Sequence, residues 1–388
     1  MNIADFQFEI IKEIGAGSFS KVLLAKKKGT NELNAIKKID INFIKQNQKF
    51  KELLCNEIMI MKMVNHPNII KYGGCVRTKN HYYIAMEYIN GGTLKDCLSK
   101  YKLRYNKAFS EEIVQYLMRQ ILNAVKYLHF NKIVHRDLKL ENIMIKFDNK
   151  EDLNNLNMMK TQVKIIDFGV SKIIDNNLLQ TAIGSIDNMD PIIIENFKKI
   201  QLNQKDLNKY SEKCDIWSLG TICYELARGK PLFEVDTVDE KLAKIKEGYY
   251  KIPTTFSKEI TSFLKSMLQY EEKNRESASE LLNHNFITKN IKDFTIKNQN
   301  NVAKNYEKSK SFNLNTKQQL NDNIYNNQIK NFQQAFGFNR SFYGQSMSPG
   351  ETNNNHGKSD KFLRNHFNQS NQTINFLNYG HPGNPNFV

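Results

Sequence analysis

Along the first forty residues apolar and polar positions alternate. Phe8–Ile14 carries the alternation, Val22–Ala25 is a short apolar run and Leu33–Ile39 a third, with Gly29, Thr30 and Asn31 punctuating the connection between the last two. A period of two with turn residues between the runs predicts an antiparallel β-meander. Further on the period changes. After Ser110, a capping residue type followed by Glu111 and Glu112, the apolar set Ile113, Leu117, Ile121, Val125 and Leu128 recurs at fours and threes, which predicts an amphipathic helix over 110–130. Asn56–Val64 also reads as helical, and Asp215–Arg228 predicts another helix, stopped by Gly229 and Pro231. Strands first and helices later predict an α+β architecture, a small sheet-based lobe followed by a helical one.

The periodic patterning runs from about Phe6 to Ile287 and then stops. Of the last 88 residues 28 are Asn or Gln, which offers little apolar surface to offset the entropy of ordering. Residues 288–388 are therefore expected to be a disordered tail, punctuated by Phe336, Phe338, Phe342 and Tyr343. The whole chain of 388 residues is 40% hydrophobic and 25% charged, enough for a sizeable core. No run approaches the roughly 18 apolar residues of a spanning helix. Met1–Ala4 starts no charged-then-apolar leader, and position 2 is not glycine, so neither a membrane protein nor a secreted precursor is expected. Five scattered cysteines without C-x-x-C spacing fit reduced thiols in a cytoplasmic or nuclear protein. The net charge of +16 divides into +7 from the tail, with twelve basic and five acidic residues, and +9 before it. Spread in this way and lacking an aromatic-interleaved basic motif, it points to no nucleic-acid partner.

Several segments carry chemistry. Gly15-Ala16-Gly17-Ser18-Phe19-Ser20 lies between two predicted strands, where it reads either as a hairpin turn or as a loop whose backbone N–H groups approach phosphate oxygens. A strand follows it, which disfavours a Rossmann dinucleotide site. Lys37 sits inside the apolar strand Ala35-Ile36-Lys37, and Glu57 lies on the helical pattern after it; paired with the glutamate, the ammonium could be aimed at nucleotide phosphates. The most specific signal is His135-Arg136-Asp137-Leu138-Lys139-Leu140-Glu141-Asn142, followed by Asp167-Phe168-Gly169. Phosphoryl transfer needs a carboxylate to orient the attacking hydroxyl and oxygen ligands for magnesium; Asp137 suits the first task, Asn142 and Asp167 the second.

With this ordered set the chain resembles the eukaryotic protein kinase family over about Phe6–Ile287. The resemblance implies a bilobal protein-kinase fold, with an antiparallel five-stranded N-lobe plus one helix over 6–89 and a mainly α-helical C-lobe over 90–287. It implies ATP and Mg2+ as cofactors and protein substrates as partners, with an activating kinase as a further candidate. Ile14, Gly15, Ala16, Gly17, Val22, Ala35, Met86, Glu87, Ile89 and Met144 would surround ATP, Met86–Ile89 forming the hinge beside adenine. Lys37, held by Glu57, would contact the α- and β-phosphates; Asp137 would be the catalytic base, Lys139 would steady the γ-phosphate, and Asn142 and Asp167 would hold magnesium. Asp215 would brace the catalytic loop. Lys139 and Gly184-Ser185 are similar to the serine/threonine branch, with the subgroup open.

Three departures from the family pattern stand out. Ser20 replaces the third glycine of the loop. Asp190-Pro191-Ile192 stands where Ala-Pro-Glu is usual, leaving Arg275 without its expected acid, for which Glu195 is a candidate. Asp148–Gln162 and Phe197–Tyr210 are long, polar connections expected to be solvated insertions. Ile192 and Asn188 also keep open a competing reading as a nucleotide-binding pseudokinase scaffold. Arg136 beside the catalytic Asp and Thr181 before Gly184 resemble a phosphate switch, with Thr181 as the phosphosite. Glu141 and Glu225 could favour basic peptides, while Thr93 supplies no carboxylate at a third relevant place.

Overall fold

In a computed structural model, residues 7–16, 20–46, 48–169, 171–173, 188–235, 237–248 and 250–288 are described. The alternating segments at the start become three strands, β1 (Phe8–Ala16), β2 (Ser20–Lys27) and β3 (Leu33–Asp40). Two helices follow, α1 (Ile41–Gln46) and α2 (Gln48–Met63), where one was expected, and then β4 (Tyr72–Arg77) and β5 (His81–Glu87). The five strands form one antiparallel sheet in the order β1-β2-β3-β5-β4.

Register decides what each face of this sheet does. Lys37 lies opposite Val22 on one side and Ile84 on the other, and Ala35 opposite Leu24 and Met86. Because side chains alternate along a strand, Val22, Ala35, Lys37 and Met86 share one face. The other face carries Ala25, Ile36 and Ala85, all buried, with Phe8, Leu23, Val76 and Tyr83 packed against them.

The remainder is mostly helical. It begins with α3 (Leu94–Tyr105) and α4 (Glu111–Phe130), then the short strands β6 (Ile133–Val134) and β7 (Ile143–Phe147), the insertion helix α5 (Lys150–Asn155), and β8 (Thr161–Ile165) and β9 (Lys172–Ile173). Next come α6 (Pro191–Gln201), α7 (Lys213–Arg228), α8 (Val238–Lys246), α9 (Lys258–Met267), α10 (Ala278–Leu281) and α11 (Asn285–Thr288). Leu117, Ile121, Val125 and Leu128 of α4 are buried as the periodicity requires, while Ile113 is only half-buried. Val114, Met118 and Leu122 are buried too, so α4 is covered on more than its predicted stripe. The reason is its position, packed by β8, α7, α10 and α11. Ser110 occupies its N-cap with extended backbone but makes no side-chain cap bond. In α7 every residue from Cys214 to Leu226 is buried, as befits a central helix. Gly229 ends it in the left-handed conformation, its N–H donating to the Glu225 carbonyl. Among the described residues no helix is long and apolar enough to cross a membrane.

Both polar insertions are better anchored than their composition suggests. In the first, Asp152 accepts hydrogen bonds from the side chains of Asn149 and Asn157, and Met158 is 1% exposed. Arg104 and Tyr105 of α3 donate to the carbonyls of Asn154 and Asn155. In the second, the buried Asn196 side chain donates to the Asn208 carbonyl and accepts from the Asn208 N–H. The middle of this insertion, 201–206, and Lys209 are exposed as expected. Amide side chains that satisfy backbone groups can hold a loop that has little apolar surface to bury.

Candidate active site

The sheet face bearing Val22, Ala35, Lys37 and Met86 is half-buried at each of these positions, unlike the opposite face. The hinge segment then crosses to the second lobe by imitating a strand. Asn90 Nδ2 donates to the Phe147 carbonyl and its Oδ1 accepts from Phe147 N–H; Gly91 N–H donates to the Ile145 carbonyl, and Ile145 N–H to that of Gly92. A Cβ on Gly91 would lie within 2.2 Å of the Ile145 carbonyl oxygen, so only glycine permits this approach. Ile89 and Met144 are buried at this junction. Glu87, in the hinge, turns its carboxylate to the Lys71 N–H and the Lys164 ammonium. Ile14, Gly15 and Ala16 lie at the end of β1, Gly15 opposite Val22; Gly17 lies outside the described residues.

Lys37 Nζ is 2.8 Å from Glu57 Oε1 of α2. Burial works to lower the ammonium's pKa, but the Glu57 and Asp167 carboxylates outweigh it and raise it above the ordinary lysine value. Lys37 is thus held as a cation facing the cleft. α2 is tied further to the chain after Asp167-Phe168-Gly169, because Asn56 Nδ2 donates to the Ser171 carbonyl at 2.6 Å.

The loop after β6 is organised by one buried carboxylate. Asp215 Oδ1 accepts from Arg136 N–H at 2.8 Å; its Oδ2 accepts from His135 N–H at 3.0 Å and lies 2.8 Å from His129 Nε2. Burial opposes its charge, but His129 and His135 with these N–H bonds hold the carboxyl below the usual aspartate value. This clamp supports the left-handed backbone of Arg136, φ +66°. Asp137 is thereby presented with Lys139 Nζ at 2.6 Å and Asn142 Nδ2 at 2.8 Å from its Oδ2. Asn142 Nδ2 also donates to the Asp137 carbonyl, and Asn142's own carbonyl accepts from Ile166 N–H, one residue before Asp167. Asp167 has φ +65°, and its Oδ1 accepts from Gly169 N–H. Burial works against its charge, yet Lys37, Lys139 and the Gly169 N–H hold its carboxyl below the usual value. Glu57 is thus bonded to Lys37, Lys139 and Asn142 to Asp137, and Lys37 and Lys139 both lie in the field of Asp167.

Residues 8–287 match the family model described as the protein kinase domain. The chain belongs to this family. Its fold is the bilobal kinase fold, with a five-stranded antiparallel N-lobe and a helical C-lobe. Similar proteins include myosin light chain kinase A of Dictyostelium discoideum, 36% identical over 294 residues, covering 74% of this chain and 90% of the relative. The "Probable serine/threonine-protein kinase nek3" of the same organism is 34% identical over 284 residues, 72% of this chain and 23% of that protein. Calcium-dependent protein kinase 4 of Plasmodium berghei (strain Anka) is 33% identical over 286 residues, 72% of this chain and 49% of that protein. The chain thus carries a serine/threonine protein kinase domain that spans from under a quarter to nine-tenths of these relatives' lengths.

Within this kinase domain the expected Glu195–Arg275 pair is not formed. Arg275, fully buried, pairs instead with Asp190 Oδ2 and stacks over the Trp217 ring at 5.2 Å. Asp190 Oδ1 caps α6 by accepting from Ile192 N–H at 2.7 Å. Glu195 faces the other way, accepting from the Tyr270 hydroxyl at 2.6 Å and pairing with Lys246 at 2.8 Å. On a helix that starts at Pro191, an N-cap acid lies where Glu195, one turn later, does not. The signal for Asp190 was present, since Asp before Pro at the first helical position is a helix-start pattern. His129 and Asn56 carried no comparable signal, and their roles emerge only from the packing of α4 on α7 and of α2 on the segment after Asp167. Thr181 lies outside the described residues.

Proposed function

We propose that the protein transfers the γ-phosphoryl group of Mg-ATP to serine or threonine hydroxyls of protein substrates. The observation that carries this is the continuous charge arrangement in the cleft: Glu57 on Lys37, Lys37 and Lys139 both in the field of Asp167, and Lys139 on Asp137. In this reading Ile14 to Gly17, Val22, Ala35, Met86, Glu87, Ile89 and Met144 surround the nucleotide. Lys37 neutralises its α- and β-phosphates and Lys139 its γ-phosphate. Asp137 orients the incoming hydroxyl and takes its proton. Positioning and charge neutralisation supply most of the rate.

The donor set suits magnesium. Asn142 spends its nitrogen on Asp137, which leaves its amide oxygen as the ligand atom, and among the described residues Asp167 commits Oδ1 alone, to Gly169. Two protein oxygens are typical for Mg2+, which takes the rest of its shell from phosphate and water. Held by Asn142 and Asp167, the ion would supply charge neutralisation to the phosphates during transfer. The Asp190–Arg275 pair removes the main reason for the scaffold reading, since the acid thought missing is supplied two residues earlier. Thr181 is proposed as an activating phosphosite, modified by this or another kinase; Thr181→Ala is expected to lower activity. The test of the whole proposal is phosphorylation of protein and peptide substrates with labelled ATP and magnesium. Incorporation by the wild type that is lost in Asp137→Ala supports it; equal incorporation by both overturns it.

A further inference from the structure

Outside the phosphate-handling cluster, one ion pair stands beside the same loop. Lys95 Nζ of α3 lies 2.5 Å from Glu225 Oε1 of α7, the lysine 43% and the glutamate 10% exposed in their side chains. Each charge is badly placed for its own helix. Lys95 is in the first turn of α3, where the macrodipole favours an acid, and Glu225 is in the last turn of α7, where it favours a base. Neither helix gains from its residue, so the pair has another basis than helix stability.

Its surroundings supply one. α3 packs on the short turn Leu140–Asn142 that follows Asp137 and Lys139. Glu141 in that turn lies in the field of both Lys95 and Glu225. Thr93 fixes the start of α3 through a reciprocal capping box with Asp96 and pairs with Met144 of β7, which sets where Lys95 stands. Glu225, paired with Lys95, and Glu141, in the field of both, thus stand beside the loop that presents Asp137. Four residues separate Asp137 from Glu141, at most about 14 Å of chain. A peptide whose hydroxyl reaches Asp137 therefore passes this place within a few residues of its acceptor.

We propose that Lys95 determines substrate preference by holding, with its own ammonium, the position between Glu225 and Glu141 that would otherwise draw an arginine or lysine of the substrate. The inference rests on the kinase reading of the cleft. With the pocket neutralised from within, substrates need no basic residue at that position; with Lys95 uncharged, the two acids are open to one. The lysine side chain is partly exposed, so the pair is open to a competing cation, and the preference is salt-sensitive.

The test is a peptide series with a single serine in a neutral context and one arginine walked over four positions on either side, phosphorylated by the full chain. In the wild type kcat/KM is expected to vary by less than about threefold across the series. Lys95→Met, and independently Lys95→Gln, are expected to raise the arginine-to-neutral ratio about 5- to 20-fold at one or two adjacent positions, the gain shrinking with added salt. Glu225→Gln in the Lys95→Met background should remove much of the gain, and Lys95→Arg should keep the wild-type profile. Flat profiles in both charge-removing variants, or a wild type already selecting arginine to the same degree as they do, overturn the proposal. If the wild type phosphorylates no peptide, the kinase reading is what fails. The same peptides with alanine for serine, followed by fluorescence anisotropy, then decide Lys95: tighter binding of the arginine peptides by the variants supports it, and equal binding overturns it.

Discussion

Lys37 shows how much one side chain is asked to do: it is buried beside Glu57, kept charged by two acids and placed on the open face of the sheet. Replacing it with methionine preserves the volume and removes the cation. Lys37→Met is expected to lower kcat by about 10²- to 10³-fold, the usual cost of losing one preorganised charge-stabilising donor, while circular dichroism stays that of the wild type. Arg275 makes a second residue-level case. Asp190→Asn and Arg275→Met should each destabilise by about 3–5 kcal/mol, because each leaves a buried partner uncompensated. The double variant should cost much less than the sum, whereas Glu195→Gln and Arg275→Met should combine nearly additively in denaturant melts. A third case concerns pH. His66 packs on Tyr127 at 5.2 Å and accepts from Asn68 N–H through Nδ1, and burial together with Lys164 lowers its pKa from 6.5 to about 4. Its neutral form is the folded one, so its contribution is fully present above pH 6.5 and is lost as pH falls toward 4. The melting temperature of the wild type should therefore drop more between pH 7 and pH 5 than that of His66→Gln.

Elements were legible where their periodicity was clean. β1 to β3, α4 and α7 stand within a few residues of the positions that alternation and three-four spacing indicate, because each buries a regular face. α2 begins eight residues before the helical pattern Asn56–Val64, and α1 gave no pattern of its own. The insertions are solvated over much of their length, as expected, but their anchoring was not legible: it comes from asparagine side chains bonding to backbone, as Asn196 does with Asn208, and polar composition alone looks the same whether or not such bonds form. The proposed catalytic groups were named from residue type and order alone, whereas the acid for Arg275 was missed, since reading by position favoured a glutamate over an aspartate already serving as a helix cap. At the level of the hinge, Gly91→Ala should be severely destabilising, since its methyl would meet the Ile145 carbonyl and the Phe147 ring. A fall in melting temperature of 5 °C or more is expected; a fall under 1 °C would show that the hinge can move off β7.

For the molecule as a whole, the two lobes are joined by more than the hinge. Ile70 N–H donates to the Ile165 carbonyl, Ile165 N–H to that of Asn68, and Asn56 reaches Ser171. A nucleotide bound between Lys37 and Asp167 should therefore stabilise both lobes together. At a hundredfold excess over Kd, a non-hydrolysable ATP analogue with magnesium should add about 2.7 kcal/mol to unfolding in a single transition, and chelating magnesium should remove most of that gain. Two separate transitions, one insensitive to nucleotide, would contradict it. A division of the sequence near residue 287 is proposed from the sequence alone, where amphipathic periodicity gives way to asparagine and glutamine.

The position of Asp190 has a last consequence. One oxygen of its carboxylate begins α6 and the other neutralises Arg275, so the point where a helix is nucleated and the point where a guanidinium is sequestered share three atoms. Asparagine there would keep the first and forfeit the second; glutamate, longer by a methylene, would keep the charge and draw away from the Ile192 amide. The site is consequently specified in length as well as in sign, and this stretch of backbone and the arginine beneath Trp217 come loose together or not at all.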